Sequence, residues 1–298
     1  MTTLDKTLLR TSFDVWMRLR SDRPEFPDEQ RESVLACRFD VFDELPSTNR
    51  HLMDICRNHP DEAIDQTRVC ATARQTAGVG RRGTAWLSGP DCITFSVMST
   101  LSLAPQQIAG LSLVTGLAVA EVLQPLVRET LQLKWPNDLL VGEQKLCGIL
   151  TELPRLCEDS VTAVTGIGIN YCRDPEHEQL LRPYTTLRDL VTTKEFGGGE
   201  EASDSLPARE VLIAQISAAV VASHWRFVRE GWDGFAEAFK PMDYLAGKAV
   251  HIRQGEEIIN GIARGVDASG ALILEVDGVE RSMNAGEVTI GHQGLKEN

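Results

Sequence analysis

Residues 134–153 read Lys-Trp-Pro-Asn-Asp-Leu-Leu-Val-Gly-Glu-Gln-Lys-Leu-Cys-Gly-Ile-Leu-Thr-Glu-Leu, and their bends and apolar runs set the architecture. Pro136 has no N–H for a sheet ladder and Asn137-Asp138 favour a bend, so the first arm of a hairpin ends just after Trp135. Val141-Gly142-Glu143-Gln144 reads as a second bend. The mostly apolar run from Leu146 to Leu153 predicts a buried strand, with Gly148 as a bare position that lets something approach the backbone. Lys134 and Lys145 then fall on the two arms of one hairpin. A doubly cationic hairpin entering an apolar sheet suits an anion; an ordinary hairpin with solvated lysines fits the same residues.

Upstream, the alternating Arg38-Phe39-Asp40-Val41-Phe42 predicts a strand. Ser47, Thr48 and Asn49 supply the short polar side chains that start a helix near Arg50, or that hold a polar ligand head at its N-terminus. Val69 to Ala73 predicts a buried strand running into Arg74-Gln75-Thr76-Ala77-Gly78-Val79-Gly80-Arg81-Arg82-Gly83-Thr84-Ala85-Trp86. Its glycines expose backbone N–H groups, and Arg81 and Arg82 put two charges where a phosphate would sit. The loop lacks the Lys-Ser/Thr ending of a Walker A motif and has no clear helix after it, so neither P-loop nor Rossmann mechanics apply. Cys92 to Met98 predicts a strand, and 106–128 a long apolar helix covering the sheet.

Downstream, a bend at Glu158-Asp159 precedes the strand from Val161 to Ile169, which ends in Gly166-Ile167-Gly168-Ile169-Asn170. Gly166 and Gly168 share a face and open a flat floor for a ligand, or merely accommodate a helix. The run 196–205 reads as a polar loop. Helices follow at 208–228 and 231–239, then strands at 249–253, 257–266, 271–276 and 283–290 with turns at Gly255, Asp267 to Gly270 and Asp277-Gly278, the pattern of a small β-barrel. At the other end, residues 2–38 hold one amphipathic helix and the breaker run 23–27, an appendage that could barely hold a three-helix DNA-reading unit and shows no second and third helix for one. The expected division is 1–38, 39–244 and 245–298.

A chain of 298 residues with 42% hydrophobic content can bury a real core. Its net charge of −13 repels polyphosphate and anionic lipid, which argues against DNA and membrane-surface partners. Seven cysteines without a Cys-x-x-Cys or Cys/His cluster suit a reducing compartment rather than a disulfide framework or zinc site. No signal-peptide core is present in the first residues, and no run reads as long enough to span a bilayer, so the expected location is cytoplasmic.

Taken in order, Ser47-Thr48-Asn49, the 78–86 loop, Lys134 to Asp138, Lys145 to Leu150, Gly166 to Asn170 and Gly261 to Asp267 resemble the successive signatures of the biotin–protein ligases, over roughly residues 40–290. The resemblance implies an α+β fold: a mixed β-sheet flanked by helices, class II synthetase-like, with a C-terminal SH3-like β-barrel. It implies an enzyme that uses ATP and Mg²⁺ to make biotinyl-5'-AMP and transfers biotin to a lysine of a biotin carboxyl carrier protein domain of a biotin-dependent carboxylase. Ser47, Thr48, Asn49 and Gln75, with Gly148, Gly166, Gly168 and Trp86, would bind biotin, whose carboxylate would meet Lys145. Gly78, Arg81, Arg82 and Gly83 would close over the adenylate, with Arg81 and Lys145 as the catalytic cations. Asn137, Asp138, Asn170 and Arg264 would lie on the ATP side, with the Mg²⁺ near Asp138.

Two departures from the family pattern stand out. Val79 and Thr84 occupy places where arginines are usual, which would weaken ATP binding or loosen retention of the adenylate. The N-terminal helix does not match the winged-helix unit of the family's DNA-binding branch, so no repressor role is expected. A lipoate or octanoate ligase shares the catalytic fold, and a non-catalytic biotin- or nucleotide-binding module would share the site. Pairing of two copies through a sheet edge is left open by the sequence.

Overall fold

The computed structural model describes residues 3–20, 37–59, 67–89, 92–173, 183–191 and 206–291; the loop read at 196–205 and the breaker run 23–27 lie outside them. The central sheet has seven strands: β1 (Arg38–Leu45), β2 (Arg68–Gln75), β3 (Cys92–Leu101), β4 (Leu131–Lys134), β5 (Asp138–Val141), β6 (Gln144–Leu156) and β7 (Val161–Asn170). They lie in the order β1-β2-β3-β7-β6-β5-β4. Only β1 and β2 run parallel, joined across helix Thr48–Asn58; the other neighbours are antiparallel.

The two faces of this sheet differ because side chains alternate along each strand. Val69, Ala71, Phe95, Val97, Ile149, Ile167 and Ile169 point to one face and form a single core with helices Lys6–Arg20, Leu111–Leu123 and Arg209–Glu230. The other face carries Thr72, Thr94, Ser96, Gly166 and Gly168 and is covered at one end by helix Thr48–Asn58. There Leu52, Cys56, Cys70, Met98 and Val164 form a second, small cluster. The polar and glycine positions therefore gather on one face.

Five expectations are corrected. The N-terminal helix is no appendage: Leu9 and Phe13 are fully buried, and Phe13 packs edge-on against Phe39 at 5.0 Å. Helix Arg209–Glu230 is long and apolar enough to cross a membrane, contrary to the sequence reading, but about two-thirds of its most apolar stretch is buried inside the fold (67%). It is the core helix of the domain. The helix read at 106–128 is shorter, Leu111–Leu123, because Gly110 adopts φ 87° before it and a 3₁₀ turn containing Pro125 follows it.

Strands β8 (Ala249–Gln254), β9 (Glu257–Val266), β10 (Leu272–Val276), β11 (Val279–Met283) and β12 (Glu287–Ile290) form an open antiparallel sheet in the order β11-β10-β9-β8-β12, rather than a closed barrel. The strand read at 283–290 is two, β11 and β12, which sit at opposite edges and do not pair. With β8, β9 and β10 they bury Val250, Ile252, Leu272, Leu274 and Val288. This sheet is fixed to the large one: Trp135 Nε1 donates to Gly270 O at 3.1 Å, and Tyr244 N donates to Leu133 O at 3.0 Å. Gly270 lies so close to Gly110 that a Cβ there would come within 2.6 Å of the Gly110 Cα.

Candidate active site

Ser47 does what its position predicts, accepting from Arg50 N at 3.4 Å as the cap of helix Thr48–Asn58. Thr48 and Asn49 enter the first turn and turn inward, both buried. Thr48 N donates to Gln75 Oε1 at 2.8 Å, and its hydroxyl lies 2.7 Å from Ser96 Oγ and 3.1 Å from the same Gln75 oxygen. Ser96 donates to Asn49 Oδ1 at 2.6 Å, while Asn49 Nδ2 donates to Glu152 Oε2 at 2.8 Å and Leu150 O at 3.3 Å. Gly166 lies beneath: a Cβ there would come within 2.3 Å of Asn49 Oδ1. The bare positions are thus no open floor, since Asn49 fills the space over Gly166 and Trp86 fills that over Gly168.

The 78–86 loop closes as a miniature hairpin. Val79 bridges Ala85, Trp86 N donates to Gly78 O at 2.9 Å, and a 3₁₀ turn at Arg81–Gly83 makes the tip, with Arg82 at φ 55° and Gly83 at φ 74°. Thr84 closes that turn, its hydroxyl donating to Arg81 O at 2.9 Å. Trp86 lays its ring on the sheet: a Cβ on Gly168 would come within 2.3 Å of it and one on Gly148 within 3.0 Å. Trp86 Nε1 is buried with no hydrogen-bond partner among the described residues, a donor available to a ligand acceptor.

The arginines of the loop face the C-terminal sheet. Arg81 donates to Asn137 Oδ1 and Gly286 O, each at 3.3 Å, and Arg82 donates to Arg253 O at 3.0 Å and pairs with Glu287 at 3.6 Å. Burial first, and then the Arg82 charge, pull the Arg81 guanidinium below its ordinary value. Two adjacent cations held largely by neutral carbonyl and amide oxygens favour the arrival of an anion.

Lys145 reaches this face through a bulge. Asp138 pairs with Gly148, but beyond Leu139–Cys147 the register slips, so Leu140 pairs with Lys145. Regular alternation would put Lys145 and Gly148 on opposite faces; the extra residue brings them together. Lys145 Nζ lies 2.7 Å from Asp138 Oδ1, 5.5 Å from the Trp86 ring centre and against Gly148, where a Cβ would be 2.9 Å away. Asn170 Nδ2 holds the Lys145 carbonyl at 2.9 Å, and Asn137 Nδ2 holds Ile149 O at 2.8 Å. Lys134 does not share a hairpin with Lys145. It ends β4, paired with Asp138, so the two lysines lie on the outer strands of a three-strand meander.

The sheet face therefore brings together Thr48, Asn49, Gln75, Trp86, Lys145 and Asp138, with Asn137 linking to Arg81. Arg264 is not brought there: its guanidinium bonds Glu275 on the next strand of the C-terminal sheet at 2.9 Å. The C-terminal sheet contributes Gly286 and Glu287 instead. Sequence reasoning missed these and also missed Ser96 and Glu152, polar residues scattered within the sheet strands. Among the described residues no group of three metal-ligating side chains occurs.

Fold and site together define an α+β core with a small β-sheet domain docked on its charged loop. The chain belongs to the biotin/lipoate A/B protein ligase family, which it matches over residues 41–170, with residues 246–291 matching the biotin protein ligase C-terminal domain. It is 33% identical over 256 residues to the bifunctional ligase/repressor BirA of Salmonella typhimurium, covering 84% of this chain and 73% of that one. It is 32% identical over 258 residues to the biotin–[acetyl-CoA-carboxylase] ligase of Mycobacterium tuberculosis, covering 84% and 88%. Among solved structures, the Aquifex aeolicus biotin protein ligase with biotin and ATP superposes with a TM-score of 0.67 at 23% identity, covering 86% of this chain and 99% of that one, a likeness of fold.

Proposed function

We propose that the chain is an ATP-dependent ligase that activates biotin as biotinyl-5'-AMP and transfers it to a lysine of a biotin carboxyl carrier protein. The observation that carries this reading is the 32% identity, over most of both chains, with a biotin–[acetyl-CoA-carboxylase] ligase. The geometry supports it, because a cationic end (Lys145) and a polar end (Thr48, Asn49, Gln75) lie along one sheet face, as an acid with a polar head requires.

In the first step a biotin carboxylate oxygen attacks the α-phosphorus of ATP and diphosphate leaves. Two anions must meet, so cations have to neutralise the charge that develops, and Lys145 and Arg81 are assigned to this. Asn137 positions Arg81. Asp138 holds Lys145 and is the carboxylate assigned to a Mg²⁺ arriving on the triphosphate; such an ion needs only one or two protein carboxylates and would offset phosphate charge. In the second step the carrier lysine amine attacks the acyl carbon, AMP leaves and an amide forms. The 78–86 hairpin, with Trp86 lying on the sheet, is suited to exclude water from the mixed anhydride between the steps.

The remaining assignments follow the same reading. Ser47, Gly78, Gly148, Gly166 and Gly168 shape the biotin site, and Arg82, Gly83 and Asn170 support the adenylate side. Arg264 serves the nucleotide only if it exchanges Glu275 for phosphate. The division into 1–38, 39–244 and 245–298 is kept in this reading, supported by the separate C-terminal sheet, while helix Lys6–Arg20 packs on the large one. A ligase without a repressor role is favoured by the charge of −13. Seven free thiols, five of them buried, support a cytoplasmic location. A homodimer would use an edge strand, β1 or β4.

Biotin-dependent exchange of labelled diphosphate into ATP, without carrier and with lipoate and octanoate in parallel, tests the proposal. Exchange with biotin alone is expected. Exchange with lipoate or octanoate instead would make the protein a sister ligase, and biotin binding without exchange would make it a binding module.

A further inference from the structure

The hydrogen bonds among Glu152, Asn49, Ser96, Thr48 and Gln75 have only one consistent direction. A carboxylate and a backbone carbonyl can only accept, so Glu152 Oε2 at 2.8 Å and Leu150 O at 3.3 Å both take protons of Asn49 Nδ2. The amide orientation follows, and Asn49 Oδ1 faces Ser96, whose one proton must go there at 2.6 Å. Ser96 can then only accept from Thr48, 2.7 Å away. Gln75 Oε1 already takes the Thr48 N–H at 2.8 Å and stands 3.1 Å from the Thr48 hydroxyl. The Thr48 hydroxyl proton thus has two acceptors, Ser96 Oγ at 2.7 Å and the already occupied Gln75 Oε1 at 3.1 Å, and once it is given to Ser96 the Thr48 oxygen is left with only lone pairs to offer a ligand.

We infer that Glu152 is a positioning residue that sets the hydrogen-bond polarity of this subsite, making Thr48 an acceptor and so selecting a head group that brings N–H donors. A cyclic urea does so; a dithiolane or a plain alkyl chain does not. The inference deepens the biotin reading above and rests on it. Glu152 acts from the far end of the chain of bonds, two residues beyond Leu150 on the same face of β6 and opposite Val164 of β7. Without it, Asn49 is held only by the longer bond to Leu150 and can turn its amide over. Asn49 Nδ2 would then donate to Ser96, Ser96 to Thr48, and Thr48 would donate outward to ligands that carry acceptors.

The test compares wild type with Glu152→Leu, Glu152→Lys and Glu152→Gln in diphosphate exchange with biotin and desthiobiotin, both of which carry the urea. Lipoate binding is followed by calorimetry and folding by thermal melting. Leu, which cannot accept, and Lys, which only donates, are expected to raise KM for both ureas at least tenfold with kcat within threefold, and to leave lipoate affinity unchanged or tighter. Gln keeps an acceptor oxygen and is expected to stay within threefold of wild type. Half-exposed Glu152 tolerates Lys, so a misfolded Leu variant leaves the polarity test in place. Unchanged KM in the Leu or Lys variants, equal losses for ureas and lipoate, or a Gln variant as impaired as Leu would overturn the inference. A wild type that prefers lipoate overturns the biotin reading, and this inference with it, from the wild-type arm alone.

Discussion

Lys145 Nζ lies 2.7 Å from Asp138 Oδ1, a contact made possible because a bulge in β6 brings Lys145 to the face where Asp138 stands opposite Gly148. The pair is partly exposed, so its contribution to folding is small, about 1 kcal/mol at most. Its contribution to chemistry is larger, because the ammonium is the cation nearest the Gly148–Gly168 strip of the sheet. Lys145→Ala is expected to lower adenylate formation by about 10²- to 10³-fold, the cost of removing one electrostatic stabiliser of a developing charge, with an unchanged circular dichroism spectrum. Diphosphate exchange measures this, and a near-normal rate would sink the assignment.

His224 gives a pH-dependent stability. It is fully buried in helix Arg209–Glu230, and burial lowers its pKa from 6.5 to about 4. Thr115 gives its proton to Leu111 O at 2.9 Å, so His224 Nε2–H donates to Thr115 at 3.1 Å and Nδ1 faces Ser99 at 3.4 Å, the neutral tautomer. The unfolded chain binds a proton that the folded one refuses, so stability is full above about pH 6.5 and falls as pH drops toward 4. The loss attributable to His224 is about 3 kcal/mol at the foot of that window. Urea unfolding at successive pH values should show it, and His224→Gln should flatten the slope between pH 6.5 and 4; a slope that survives the substitution belongs to other groups.

The legible part of this fold was the part written in runs: the two-sided apolar strands, the breaks at Pro136 and Gly142, and the glycine-rich loop. The Ser47-Thr48-Asn49 trio was legible because three short polar residues directly before a helix have few other uses. Lys145 was legible as a residue but not in its direction, since a one-residue bulge leaves no mark in composition. Ser96 and Glu152 were hidden because polar residues scattered along a strand resemble ordinary surface alternation until both faces are known to be covered. The one available signal was Thr94 and Ser96 two apart in an otherwise apolar run. The split between β11 and β12 was missed because Met283 to Ile290 keeps a strand-like alternation through Asn284-Ala285-Gly286.

Gly166 is required by Asn49 rather than by a turn. A Cβ there would stand 2.3 Å from Asn49 Oδ1 and would push the amide off Ser96 and Glu152. Gly166→Ala is expected to destabilise the fold by about 1–3 kcal/mol, the range for overpacking a buried site, and to weaken biotin binding at least tenfold. Calorimetric titration and thermal melting separate the two effects. Full affinity in the variant would mean that Asn49 does not shape the biotin site.

Val79 offers the last test, because it is 49% exposed in the loop hairpin, which leaves room for a longer side chain. The loop's two arginines are drawn to the C-terminal sheet, Arg81 to Gly286 O and Arg82 to Arg253 O and Glu287. A third cation would lack those partners and remain available to phosphate. At a partly exposed position such a charge is worth about 1 kcal/mol, so Val79→Arg is expected to lower the KM for ATP and slow release of biotinyl-5'-AMP by about fivefold each. The gain should shrink as salt is raised, since the interaction is screened. Single-turnover capture of the adenylate at low and high salt reads both quantities, and a substitution without effect at low salt would show that position 79 stays away from the phosphate throughout the reaction.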